Sequence, residues 1–276
     1  MSDPSVVRLG GALGAEVSGI DLCEPLDDQT FAVLEAALVE HQVLVLREQA
    51  IEAPQQLALA RRFGSIEVHG AYPGVPGCPE VGVLEHTAER PSRIEKWHTD
   101  MTFRPTPPLG TLLHAQVVPA VGGDTLFSST SAAFAGLSSR VQRLVDGLLA
   151  EHSFEHGFRE SLAEPGGRER LAPMLRDNPP VLHPVVRRHP VDERPGLFVN
   201  ELFTTRIDGL HEAESRAVLE LLFRQATSPE HTFRVRWEPR TLVIWDNRST
   251  QHRPVNDHGL AHRKHHRVTV AGDRPR

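Results

Sequence analysis

The sequence predicts a mainly β protein with flanking helices. Short strand-like pieces, each closed off by proline or glycine, recur through its middle and C-terminal parts. Only a few segments carry the three-to-four spacing of an amphipathic helix, and they do not alternate with strands as βαβ units. No boundary divides the 276 residues into comparable halves, so one domain spanning 1–276 is expected.

Near the start, Phe31, Leu34, Ala37 and Leu38 share one helical face, with Asp28 or Thr30 as the expected cap. The apolar run Val43-Leu44-Val45-Leu46 suits a buried strand. Pro54 opens a second helix through Leu57, Leu59 and Ala60 that ends at Gly64. Ser138 or Ser139 starts a third through Val141, Leu144, Val145, Leu148 and Leu149, and a fourth covers residues 212–225. Strands are expected at 110–118, 197–200, 232–237, 241–245 and 266–271, while the polar, proline- and glycine-rich stretch 165–180 reads as a loop or lid.

Composition excludes several classes of function. The net charge of −6 gives no basic footprint for nucleic acid. No apolar run reaches the roughly 18 residues of a membrane span. The N-terminus lacks a basic region followed by an apolar stretch, so no secretory leader is expected. Cys23 and Cys78 form neither a metal-type pair nor a disulfide framework, which points to a reducing cytoplasm. A homo-oligomer binding a small molecule is the expected assembly.

Chemistry concentrates in a few places. His98 and Asp100, in Trp97-His98-Thr99-Asp100-Met101, fall on one side of an extended chain. His252 closes a polar turn after an apolar strand and offers a second imidazole. Two histidines and a carboxylate on one face suit Fe(II) and leave positions open for other ligands; the alternative is a loop histidine bonded to a backbone carbonyl. Arg263 and Arg267 follow His252 by 11 and 15 residues and share a strand face with Thr269, opposite Val268 and Val270. Guanidinium groups on an inner face call for anionic ligands; a solvated basic edge is the alternative. Gly122-Gly123-Asp124 is a turn, after which the Thr125 hydroxyl could meet a carboxylate. His258, His262, His265 and His266 read as a solvated surface cluster, and Trp97, Phe103 and Trp245 as packing around the site.

In combination, WHTDMTF (97–103), GGDTLFSS (122–129), LFVNELFTTRI (197–207), IWDNRSTQH (244–252), the Arg263/Arg267 pair and the segment from His69 to Pro73 resemble the taurine dioxygenase-like branch of the Fe(II)/2-oxoglutarate-dependent oxygenases. That branch also contains aryloxyacetate dioxygenases and alkylsulfatases. The resemblance implies a double-stranded β-helix, the cupin-like jelly roll, with helices outside. It implies His98, Asp100 and His252 as iron ligands, and Arg263 with Thr125 holding 2-oxoglutarate. It places His69, Tyr72, Phe203 and Arg267 around the prime substrate, with His69 and Arg267 on its anionic head.

The implied reaction consumes O2 and 2-oxoglutarate, releases succinate and CO2, and hydroxylates the substrate. Two positions depart from the taurine enzyme's pattern. Ile94 stands where that enzyme has an asparagine near the substrate, and Met101 replaces a smaller aliphatic residue. An apolar Ile94 offers nothing to a substrate amine, so the expected substrate is an alkyl sulfonate or sulfate ester with an apolar tail, cleaved to an aldehyde plus sulfite or sulfate. A biosynthetic hydroxylase of a carboxylate or amino acid, a zinc hydrolase and a non-catalytic binding protein are the alternatives.

Overall fold

The computed structural model describes residues 4–68, 73–90 and 94–276. Eight strands frame the site: β1 (Val43–Leu46), β2 (Cys78–His86), β3 (Gly110–Val117), β4 (Thr125–Ser129), β5 (Thr232–Val235), β6 (Leu242–Asp246), β7 (Thr250–Pro254) and β8 (Arg263–Val270). The larger sheet runs β1-β6-β3-β8-β2, extended beyond β1 by Ala15–Ser18 and Ser5–Arg8 and beyond β2 by Gly74–Val75. The smaller one runs β5-β4-β7. Pairing is antiparallel within both, except where Ala15–Ser18 meets β1.

Side-chain alternation explains why the two sheets face each other. Val43 and Val45 of β1, Leu113 and Ala115 of β3, and Val243 and Trp245 of β6 pack with Phe127 of β4 and Val235 of β5 in one buried cluster. The intervening residues Leu44, Leu46, Leu112, Leu242, Ile244, Val268 and Val270 point outward and pack beneath helices α1 (Asp28–His41) and α2 (Ala53–Phe63). β1 is apolar at every position because it is covered on both faces. The arrangement is a double-stranded β-helix, a jelly roll with helices packed outside. Among the described residues, no helix is long and apolar enough to cross a membrane.

Several elements differ from the sequence-based expectation. Asp27, rather than Asp28 or Thr30, caps α1, accepting a bond from the Thr30 N–H at 2.7 Å. The helix expected through Leu149 stops at Val145, because Gly147 takes a positive φ and Leu149–His152 is claimed as a strand by partners on both sides. Residues 197–200 contribute only the end of the strand Pro195–Leu197. The stretch 165–180 is no loop: it holds a further helix, α3 (Gly167–Asp177). Its Leu171, Met174 and Leu175 lie against buried phenylalanines, so tertiary packing outweighs the polar composition. The fourth helix, α4 (Glu212–Ala226), lies where expected. β2 was not expected at all; its residues alternate weakly between buried and exposed.

Candidate active site

The stretch before Asp100 is extended and is clipped to β7 by a lone antiparallel bridge between His98 and His252. The His98 N–H donates to the His252 carbonyl at 3.0 Å, and the His252 N–H returns the bond at 2.7 Å. One residue on, the Thr99 hydroxyl donates to the Thr250 carbonyl at 2.7 Å. This zipper brings two histidines 154 positions apart in the chain to within a ring-centroid distance of 4.2 Å. The chain turns sharply at Met101, whose φ of +50° lies in the left-handed region. A non-glycine residue held there stores strain, a feature that clusters at functional sites.

His98, Asp100 and His252 are all buried, and one ligand atom from each lies within 4.8 Å of the others, so together they could hold a metal ion. Asp100 Oδ1 is 4.0 Å from His98 Nε2 and 3.8 Å from His252 Nε2. His98 Nδ1 lies 2.9 Å from the Lys96 carbonyl and donates to it, which leaves the Nε2 lone pair facing the cluster. Asp100 Oδ2 is held on the other side, by Arg267 Nη2 at 2.8 Å and by the Thr111 hydroxyl at 3.0 Å.

The electrostatics agree with this donor set. Burial pushes the Asp100 carboxyl up, but Arg267 above all, then His252 and His98, hold it well below the usual carboxylate range. Burial lowers the His98 imidazole against the pull of Asp100. It takes His252 down to about 3, with help from His98. Two neutral imidazoles and one carboxylate are the forms in which these groups bind a metal.

At one end of β8, Arg263 is 4 % exposed. Its Nε donates to the Gly123 carbonyl at 3.2 Å, and its guanidinium carbon lies 5.9 Å from the centre of the Trp237 ring. Burial lowers it to about 10. Among the described residues no carboxylate forms an ion pair with Arg263, and neither Nη donates a hydrogen bond. The Gly122-Gly123 turn sets this geometry. Both residues take φ near +75°, and a Cβ on Gly122 would stand 2.5 Å from the Asp257 carboxylate that accepts from the Gly123 N–H. Thr125 follows at the start of β4, its hydroxyl accepting from Trp237 Nε1 at 3.0 Å.

A cavity of about 380 Å³ opens over the His98–Asp100 side. Ile94, Met101, Phe103, Phe158 and Phe203 line it, and Arg267 supplies a cation at its base. Phe203 stands edge-on to His98 at 6.3 Å and to Phe103 at 5.1 Å. Two hollows of about 680 and 760 Å³ are larger but include none of the three candidate ligands. Chemistry, not size, singles out the smaller one.

Most of the site residues read from the sequence therefore converge, with Ile94, Met101, Phe203 and Arg267 on the cavity wall. His69 and Tyr72 lie outside the described residues. Phe103, expected as packing, also lines the cavity, whereas Trp97 and Trp245 are core residues as expected. The surface reading of the C-terminal histidines is wrong for His265. It is fully buried on the inner face of β8, edge-on to Trp237 at 4.5 Å, because alternation from Arg263 turns it inward. His262 alone is well exposed, paired with Glu85 at 2.8 Å. Sequence reasoning missed Thr111, Trp237 and the Lys96 and Gly123 carbonyls. Thr111 is the register partner of Thr269, a relationship with no local signature.

Comparison with known proteins agrees with this geometry. The chain is 35% identical over 270 residues to an alkylsulfatase of Acinetobacter baylyi, covering 96% of this chain and 84% of that one. It is 35% identical over 271 residues to an alpha-ketoglutarate-dependent sulfate ester dioxygenase of Pseudomonas putida, covering 97% and 89%. The crystal structure of a taurine dioxygenase from Burkholderia xenovorans superposes with a TM-score of 0.85 at 33% identity, over 99% of this chain and 91% of that one. The structure of AAD-2 in complex with Mn(II) and N-oxalylglycine gives 0.83 at 32%, over 100% and 99%. A model of the taurine catabolism dioxygenase TauD, TfdA family matches residues 5–269, and the chain belongs to that family.

Proposed function

We propose that this protein uses Fe(II) and O2 with 2-oxoglutarate to hydroxylate a sulfate ester or sulfonate carrying an apolar tail, releasing an aldehyde with sulfate or sulfite. Membership in the family makes it a 2-oxoglutarate-dependent dioxygenase. The observation that carries the finer reading is the division of labour between two buried arginines on one face of β8. Arg267 is tied to the carboxylate of the candidate metal site, while Arg263 presents unpaired Nη atoms at the far end of the strand. A buried guanidinium without a partner is costly, and a dicarboxylate whose far end reached Arg263 would resolve it. Thr125, whose hydroxyl is aligned by Trp237, supplies the second contact.

The donor set fits the metal, and His98, Asp100 and His252 would hold it by one face. When bound, the metal with 2-oxoglutarate and O2 supplies the oxidant that hydroxylates a C–H bond, with succinate and CO2 as coproducts. The protein's own share is placement. Arg267 attracts an anionic head toward the base of the cavity, and Ile94, Met101 and Phe203 offer its tail apolar surface and exclude water. Hydroxylation at the carbon bearing the sulfate or sulfonate gives an unstable adduct that splits to the aldehyde.

Relatives named for sulfate esters and alkylsulfatase activity support this substrate class, as does the absence of an amide at position 94. One catalytic domain is supported by the shared sheet of Ser5–Arg8 and β8, from opposite ends of the sequence. A reducing cytoplasm is supported by Cys23 and Cys78, both free thiols. Succinate release tests the reading: anaerobic protein with Fe(II) and 2-oxoglutarate is mixed with alkyl sulfates, sulfonates, aryloxyacetates or amino acids, then exposed to air. Turnover on sulfates or sulfonates above a metal-free control is expected, and none with any substrate overturns it.

A further inference from the structure

We propose that His86 is a further binding residue for 2-oxoglutarate, giving the far carboxylate a hydrogen bond beside Arg263; this rests on the dioxygenase reading above. His86 closes β2 and is the direct cross-strand partner of Arg263 on β8. Directly opposed residues project from the same face of a sheet, so the imidazole stands next to the guanidinium. Nδ1 of His86 is buried and has no hydrogen-bond partner among the described residues.

The neighbours explain why an anion belongs there. His258, from the loop after β7, lies near enough to His86 and Arg263 to interact electrostatically with both, and its Nδ1 is also unpartnered. His265 lies two residues along β8, sealed from solvent, with neither ring nitrogen bonded. Asp124 is the acid that Arg263 feels, but its carboxylate is engaged by Arg234 at 2.6 Å. One guanidinium surrounded by imidazoles, with the nearest acid already spoken for, is a site short of acceptors. Burial first, then Arg263 and His258, hold His86 down to about 4. The neutral ring has one N–H to give, and a carboxylate on Arg263 is the group placed to take it.

Calorimetric titration of 2-oxoglutarate into the Mn(II)-loaded full chain tests this without turnover. His86→Ala is expected to weaken 2-oxoglutarate five- to twentyfold, and His86→Asn, which keeps an N–H near the Nδ1 position, to stay within about threefold of the parent. 2-Oxopentanoate, which carries a methyl group in place of the far carboxylate, should bind all three proteins equally. An alanine variant with unchanged affinity overturns the proposal, as does equal weakening of both keto acids, which would mark a merely structural role. Should the alanine variant fail to fold, His86→Phe set against His86→Asn reads the same difference. A parent protein that binds no 2-oxoglutarate overturns the co-substrate reading itself, whereas normal parental binding with an indifferent variant removes His86 alone.

Discussion

Arg267 Nη2 sits 2.8 Å from Asp100 Oδ2, so the cation expected to meet the substrate also grips the carboxylate expected to meet the metal. On the proposed reading, substrate head and metal ligand share one guanidinium. Arg267→Ala is expected to raise the KM for the prime substrate by at least tenfold and that for 2-oxoglutarate far less. Because the carboxylate loses its orienting partner, metal affinity should also fall by roughly ten- to a hundredfold. Steady-state kinetics with metal titration read both, and a selective loss of 2-oxoglutarate binding would mean that the two arginines exchange roles.

The metal site makes a plainer prediction. His98→Ala or His252→Ala should abolish stoichiometric Fe(II) binding, as measured by metal content after anaerobic dialysis. Thr111→Val is the subtler variant. It removes the 3.0 Å hydrogen bond to Asp100 Oδ2 and the longer 3.5 Å bonds that the hydroxyl accepts from Arg267 Nη2 and Asn247 Nδ2, while the Arg267–Asp100 pair at 2.8 Å keeps its own atoms, and should cost about 1 kcal/mol in metal affinity, roughly a fivefold rise in Kd. Wild-type turnover by His98→Ala would overturn the ligand assignment.

At the co-substrate end, Gly123→Ala introduces a side chain at φ +75°, with its Cβ about 3.4 Å from Arg263 Cδ. The backbone strain should lower stability by about 1 kcal/mol. A turn that relaxes this strain moves the Gly123 carbonyl to which Arg263 Nε donates, and should raise the KM for 2-oxoglutarate without altering that for the prime substrate. Trp237→Phe removes the N–H that aligns the Thr125 hydroxyl and should act in the same direction, more weakly. Equal effects on both substrates would show that the turn supports the whole barrel instead.

Acid should destabilise the fold through buried neutral histidines. Burial is the main cause that takes His183 down to about 4 and His152 and His265 well below 6.5. Between pH 6.5 and about 4 the unfolded chain binds protons that the folded one refuses, so stability is full above pH 6.5 and falls as pH drops through that window. His183 alone contributes about 3 kcal/mol to this loss by pH 4. Chemical denaturation at pH 8, 6 and 5 should show this slope, and His183→Gln should flatten it. A pH-independent midpoint would contradict the burial of these rings in neutral form.

Much of the fold was legible because burial on two faces leaves a plain mark. The run Val43-Leu44-Val45-Leu46 suited a buried strand, and the alternation of Arg263, Arg267 and Thr269 against Val268 and Val270 separated two faces of one strand, although a solvated edge remained the alternative for the arginines. The same alternation would have placed His265 inside, had the charged surroundings not suggested a solvated cluster. α3 was hidden because its polar composition says nothing of the phenylalanines that cover Leu171 and Met174.

By itself the sequence determined which residue types could do the chemistry: an alternating His98/Asp100 pair, an isolated His252, and two arginines four apart on one strand. It could do so because side-chain direction along a strand is a local property of the backbone. Only the tertiary structure decided which of them meet. The bridge between His98 and His252, the hold of Thr111 and Arg267 on Asp100 and the facing of His86 with Arg263 all depend on register between distant strands. Register is fixed by packing of the whole barrel, and no short stretch of chain records it.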